Sequence, residues 1–248
     1  MEYPPFVNEP LSDFSDPARR EAFARTLARV DAELGPTWSR SMLISGEKVE
    51  TGAWLESHDP TTPSRVVGRV ATATPELADA AVAAAAKAFT TWSRVPVADR
   101  AALVAKVSAI IRDRRDEFSA TMVVEAGKTW GEADADAAEA VDFCELYLRD
   151  AIRLSGPQPV SHRPGTRNRF VYMPMGIGVI IPPWNFPLAI TVGMTMSAVV
   201  TGNVAIVKPS SLTPVIAAKF IDACLEAGIP DGVVNFLPGP GEIGRAHV

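Results

Sequence analysis

The sequence predicts an α/β protein. A helical amino-terminal region is followed by the first βαβαβ units of a doubly wound parallel (Rossmann-like) sheet, incomplete within this chain. Three observations carry that expectation. Residues 176–237 hold three short apolar runs, each separated from the next by a helix-length segment. Crossovers of this kind imply parallel strands with right-handed connections. Residues 74–154 repeat apolar side chains at spacings of three and four, the period of helices that bury one face. The chain has 248 residues and is 47% hydrophobic, enough for one large domain or two smaller ones.

Asp16-Pro17 opens a helix expected to reach about Leu34, with Phe23, Leu27, Val30 and Leu34 on one face. Aspartate is a favoured cap, and proline fits the first helical position. Residues 41–49 read as strands around a glycine turn near Gly46, and 64–73 as a further strand. Thr74-Pro75-Glu76 opens an alanine-rich helix to about Trp92. Leu103, Val107, Ile110, Ile111, Phe118 and Met122 predict one long helix ending near Gly127, and Arg112-Asp113-Arg114-Arg115 reads as its solvated face. A further helix over about 130–154 carries Asp134, Asp136, Glu139, Asp142 and Glu145. Those carboxylates could gather a metal, but a solvated acidic face is the default. Residues 155–167 read as a linker.

The chemistry concentrates in the last third. Residues 176–181 form a short apolar run, expected to be a buried parallel strand. Pro182 and Pro183 end it, because proline cannot donate to a ladder. Trp184 and Asn185 follow on the turn at the strand's carboxyl end, the edge at which open α/β sheets bind ligands. An asparagine amide there could donate to a developing oxyanion, or it could cap the next helix. That helix, over 188–201, is apolar nearly all round and stops at Gly202-Asn203. Residues 204–207 are a second strand, with Lys208 just past its end. Lys208 could bind ribose hydroxyls or phosphate, or be a solvated surface lysine. Thr213-Pro214 starts a helix that ends at Gly228, and residues 232–237 are a third strand. Gly239-Pro240-Gly241-Glu242-Ile243-Gly244 then matches G-x-G-x-x-G after a strand. The match is weak alone, and proline at its second position removes one amide that could face a phosphate.

Composition excludes several classes. A net charge of −5 leaves no basic stripe for nucleic acid. Two cysteines without paired spacing argue against a disulfide framework, and His58, His162 and His247 form no metal motif. Residues 174–201 come nearest to a membrane span, but Pro182, Pro183 and Pro187 break them. The start, Met-Glu-Tyr-Pro-Pro, has no basic and apolar leader, which gives a cytoplasmic expectation.

Taken together, Pro183-Trp184-Asn185-Phe186-Pro187, residues 202–209, residues 228–235 and the Gly239 loop resemble the aldehyde dehydrogenase superfamily. The resemblance extends upstream through Ile44-Ser45-Gly46-Glu47, Asp59-Pro60 and Glu125-Ala126-Gly127-Lys128, and covers almost the whole chain. Asn8-Glu9-Pro10 and residues 133–143 resemble the Δ1-pyrroline-5-carboxylate (L-glutamate γ-semialdehyde) dehydrogenase branch of proline degradation.

The resemblance implies roles for individual residues. Asn185 matches the oxyanion-hole amide. Ile181, Pro183 and Trp184 match positions along the nicotinamide and ribose path, and Lys208 the lysine that bonds the adenosine ribose. Gly239 matches a glycine that admits the backbone to the adenine side. Ser211 stands where many NAD-preferring members carry glutamate, so NAD is the expected cofactor with NADP possible. Glu139 matches a carboxylate contacting the substrate's amino group, and Phe186 an aromatic wall of the aldehyde tunnel. A small-molecule aldehyde is the implied partner, and a homo-oligomer the implied state of the complete protein, with 169–173 as a strand of its oligomerisation ribbon.

The resemblance also implies a cysteine nucleophile and a glutamate base, and neither motif occurs in this sequence. Cys144 and Cys224 lie on predicted helices and read as small buried hydrophobes. The expected organisation is therefore an amino-terminal helix and strands (1–60), the helical part of a cofactor-binding domain (61–167), and the first half of a Rossmann-like NAD(P)-binding sheet (168–248). The catalytic domain lies outside the chain, and this chain alone is expected to be inactive. The alternatives are a non-catalytic nucleotide-binding or interaction module, and a dehydrogenase of another aldehyde.

Overall fold

The structure, a computed structural model, describes residues 3–245. Its elements in chain order are α1 (Pro17–Glu33), β1 (Ser39–Arg40), β2 (Met42–Ile44), β3 (Glu47–Val49), β4 (Trp54–Asp59), β5 (Thr62–Ala71), α2 (Pro75–Trp92), α3 (Val97–Asp113), α4 (Arg115–Ala126), α5 (Trp130–Ser155), β6 (Ile177–Ile180), α6 (Ala189–Val200), β7 (Val204–Val207), α7 (Pro214–Ala227), β8 (Val234–Phe236) and α8 (Gly241–Arg245). The caps follow from sequence. Asp16 accepts from the Ala18 amide and Thr74 from the Leu77 amide. Thr129 and Glu132 form a reciprocal capping box at the start of α5. Gly127 and Gly228 end α4 and α7 in the left-handed conformation that glycine adopts without strain.

The main sheet has five strands in the order β3-β2-β8-β7-β6. β6, β7 and β8 are parallel neighbours, as the βαβαβ pattern predicts. The hairpin of β2 and β3 extends this sheet antiparallel beyond β8, so it is mixed rather than wholly parallel. A second sheet, β1-β5-β4, combines one parallel and one antiparallel pairing. Apolar side chains from Met42 to Ile243 form one continuous core. α5 packs against α3, α4 and α6. Gly193 of α6 permits that last contact, because a Cβ there would stand 2.8 Å from the Phe143 ring of α5.

Five sequence expectations are corrected. The single helix over 103–127 is two, α3 and α4, separated at Arg114, whose φ of −106° and ψ of 22° leave the helical region. β4 lies in a stretch with no strand expectation. Its residues, Trp-Leu-Glu-Ser-His-Asp, lack a clean alternation and its pairing is irregular at Ser57 and His58. Residues 169–173 form no strand and lie exposed. β6 is an edge strand and only Ile180 in it is buried, because nothing among the described residues pairs with its outer side. The acidic face of α5 is not solvated throughout: Asp134 and Asp136 are buried. Asp134 pairs with Arg115 at 2.6 Å and accepts from the backbone and hydroxyl of Ser12. Arg115 is drawn in by that pairing, while Arg112, Asp113 and Arg114 remain exposed as a solvated face, with Arg112 reaching Glu9 and Glu145.

Two buried acids, Glu125 and Asp136, start helices in the sheet layer. Glu125, fully buried at the end of α4, accepts from the amides of Val215 and Ile216 at 2.7 and 2.8 Å and from the Ser57 hydroxyl. It thereby caps α7, which has no side-chain cap of its own. Burial raises its carboxyl to about 7 against these hydrogen bonds. Asp136 performs the same service for α6, accepting from the Ala189 amide at 2.6 Å. At the other end of α6, Trp92 and Arg100 donate to the carbonyls of Val199 and Val200.

Candidate active site

The carboxyl ends of the three parallel strands lie side by side, and each is followed by a residue singled out from sequence. Ile181 follows β6, Lys208 follows β7, and the Gly239 loop follows β8. A Cβ on Gly244 would stand 3.2 Å from the Lys208 stem and 3.3 Å from the Ile181 side chain. The G-x-G-x-x-G segment therefore lies directly over both residues. Gly239 is buried, with Ile243 at 3.0 Å and Ala73 at 3.8 Å from its Cβ position.

Lys208 is not a solvated surface lysine. It is 7% exposed, and among the described residues no carboxylate pairs with it. Among the described residues its ammonium donates to the Pro209 carbonyl alone, at 3.4 Å. Burial lowers its pKa. A desolvated ammonium with donors to spare is costly unless something else satisfies it. Ser211 is exposed on the turn before α7.

The turn between β6 and α6 carries Pro183, Trp184, Asn185 and Phe186, all exposed, between the buried Pro182 and Pro187. Asn185 does not cap α6. The cap position is Leu188, without a side-chain bond, and the first amide goes to Asp136 instead. The Asn185 amide is thus left available on an exposed turn at the carboxyl edge of the sheet.

Phe186 is tied to α5, the helix that carries Glu139, through Lys128 and Asp136. The Lys128 ammonium stands 4.5 Å from the centroid of the Phe186 ring, a cation–π distance. The same ammonium lies 2.7 Å from a carboxylate oxygen of Asp136. This contact is an ion pair rather than an aligned hydrogen bond. Glu139 is exposed one turn further along α5. Partial burial raises its pKa, Asp136 and Asp142 raise it further, and Lys128 opposes them. Burial likewise outweighs Lys128 and the helix amides in raising Asp136. A signal for Asp136 was present in the sequence. It lies between Ala133 and Ala140 on a stripe of small residues that α5 buries.

Both cysteines are buried on helices, and burial pushes both thiols well up from their ordinary range. Neither is poised as a thiolate. No cluster of three or more potential metal ligands gathers among the described residues. No helix among them is long and apolar enough to cross a membrane.

Residues 47–248 match the aldehyde dehydrogenase family. The chain belongs to that family. The 1-pyrroline-5-carboxylate dehydrogenase of Geobacillus kaustophilus is 49% identical over 241 residues, which are 97% of this chain and 46% of the relative. A second enzyme of that name from Bacillus subtilis is 48% identical over the same length. Among solved structures, 1-pyrroline-5-carboxylate dehydrogenase from Thermus with bound NAD superposes with a TM-score of 0.94 at 45% identity, covering 99% of this chain and 48% of that one. Proline utilization A from Bdellovibrio bacteriovorus matches with a TM-score of 0.94 at 40% identity, with 26% of its chain covered. This aldehyde dehydrogenase chain therefore spans about half the length of the dehydrogenases it matches.

Proposed function

We propose that this chain is the amino-terminal, cofactor-binding part of an NAD-dependent dehydrogenase that oxidises L-glutamate γ-semialdehyde to L-glutamate in proline degradation. The observation that carries the reading is the corner itself. Ile181, Lys208 and the Gly239 loop converge at one sheet edge, and the turn bearing Asn185 and Phe186 leaves the same edge.

The residues fit a dinucleotide. Lys208 is buried without a carboxylate partner among the described residues, so ribose hydroxyls would use its donors. Ile181, Pro183, Trp184 and Gly239 would supply walls and backbone around it. Bound NAD would supply the hydride acceptor. With Ser211 in place of a carboxylate, NADP is admitted as well. Asn185 would donate its amide to the aldehyde oxygen as negative charge develops there, a contribution of about 3–4 kcal/mol in comparable sites. Glu139 would meet the substrate ammonium, and Phe186 would wall its aliphatic stem. The thiol that adds to the aldehyde and the base that activates water would come from elsewhere in the complete enzyme. The upward-shifted thiols of Cys144 and Cys224 support that assignment. We further assign the exposed 169–173 segment to the subunit contact of a cytoplasmic homo-oligomer.

The deciding experiment is kinetics of the complete enzyme with glutamate semialdehyde and with unbranched aliphatic aldehydes lacking the amino acid head. A preference for the semialdehyde in kcat/KM, reduced by Glu139→Gln, is expected. Equal activity on both substrate classes would leave the family and remove the substrate.

A further inference from the structure

We propose that Lys128 and Asp136 are positioning residues for the oxyanion turn: together they clamp the segment from Phe186 to Ala189 and so fix where the Asn185 amide points. The inference rests on the reading of Asn185 given above.

The turn has little to hold it from within. Residues 182–188 form no regular structure, three of them are prolines, and Trp184, Asn185 and Phe186 are exposed. Its stereochemistry must therefore be set at its ends. On one side β6 fixes Ile180 in the sheet. On the other, Asp136 holds the Ala189 amide at 2.6 Å. Lys128 adds a second point of attachment, its ammonium 4.5 Å from the Phe186 ring and 2.7 Å from Asp136. Asn185 is the residue immediately before that ring.

The clamp is itself rigid. Lys128 lies between Gly127, which ends α4 with φ at 66°, and Thr129, which caps α5 in a reciprocal box. Its backbone is thus set by two helix ends. The Asp136 side chain is fully buried and that of Lys128 is 11% exposed, so the pair exchanges little with water. Removing the ammonium leaves a buried carboxylate uncompensated, which forces local rearrangement. Rearrangement at Asp136 is transmitted to Ala189, and loss of the cation–π contact releases Phe186. A displacement of about 1 Å at a donor can cost about a hundredfold in rate.

The test uses the complete enzyme with Lys128→Met, which keeps the unbranched stem and removes the charge, and Lys128→Arg, which keeps the charge and can stack on the ring. Lys128→Met should lower kcat by about 10- to 100-fold. It should also accelerate amide hydrogen exchange across 183–190 without changing exchange in Pro214–Ala227. Lys128→Arg should recover most of both. Should Lys128→Met fail to fold, Asp136→Asn keeps the size and should give the same pattern more weakly. Unchanged exchange across 183–190, or a kcat within about twofold of wild type in a folded variant, overturns the proposal. A wild-type enzyme inactive on the semialdehyde defeats the substrate reading alone, and the exchange comparison then still decides the clamp.

Discussion

Glu125 should make stability fall as pH rises, the reverse of the usual carboxylate. The residue is fully buried where α4, β4 and the start of α7 meet, and its carboxyl is raised from an ordinary 4.5 to about 7. The cause is burial, which outweighs two helix amides and the Ser57 hydroxyl. The folded protein therefore holds a proton here that the unfolded chain releases between these two values. Stability from this group is fully present below pH 4.5, declines as pH rises through about 7, and is constant above. At about 1.36 kcal/mol per pH unit, a rise from 4.5 to about 7 amounts to about 3 kcal/mol. The perturbation is Glu125→Gln, which keeps the shape and cannot titrate. Urea unfolding of wild type and variant in the complete enzyme, at pH values from 5 to 8, cancels other titrating groups in the difference. Wild type should lose about 2–3 kcal/mol relative to the variant across that range. The variant is nonetheless expected to be less stable at pH 5. Its amide presents an N–H where the wild type accepts from Val215 or Ile216, and each donor left unpaired costs about 1–3 kcal/mol. A difference that is flat with pH, or that rises with it, would refute the argument. It would mean that the helix amides, not burial, dominate at this site.

Ser211→Glu in the complete enzyme should weaken NADP and leave NAD nearly unchanged. A like-charge contact costs about 1 kcal/mol at 4 Å in water and more when partly buried, so the ratio of the two dissociation constants should move by about fivefold or more. An unchanged ratio would mean that Ser211 does not face the ribose. Purified residues 1–248 should form no NADH from semialdehyde, because both thiols are buried and held protonated. Turnover abolished by Cys144→Ala or Cys224→Ala would contradict this. The same isolated chain should associate with itself, since among the described residues nothing pairs with the outer side of β6, where Met175 and Ile177 are exposed. A monomeric, reversible unfolding transition measured by light scattering and circular dichroism would count against it.

The elements most legible in the sequence are those whose signal is local. The βαβαβ order, the helix starts at Asp16 and Thr74, and the stops at Gly127 and Gly228 all follow from residue type at short range. The break at Arg114 was hidden because α3 and α4 both bury a face. Apolar period reports which side is buried, and continues across a change of direction when the next helix is buried too. β4 was hidden because a strand with Glu, Ser, His and Asp in six positions has no alternation to read. The buried acids were misread for a different reason. A carboxylate looks solvated until its partner is known, and those of Asp136 are Lys128 and the Ala189 amide, the latter 53 residues away. The candidate site shows the same division. Asn185, Lys208 and the Gly239 loop were visible as motifs at strand ends. The cap reading of Asn185 fell only when Asp136 was seen in that position, and the link from Phe186 through Lys128 towards Glu139 exists only in three dimensions.

The two crossover helices of the cofactor layer, α6 and α7, begin without caps of their own and take a carboxylate from α5 and α4, 53 and 90 residues earlier in the chain. Helix initiation is the unfavourable step of helix formation. For these two it is therefore supplied by a layer that must already be in place. The chain carries an order of assembly in its structure: α5 starts on its own capping box, Thr129 with Glu132, so the helical layer it anchors can form first and serve as the template. α6 and α7 acquire firm starts only on docking, and the turn between β6 and α6 takes its shape in that same event. Substitutions in the helical layer at Glu125 or Asp136 would then slow the completion of the nucleotide-binding edge while leaving every residue of that edge intact.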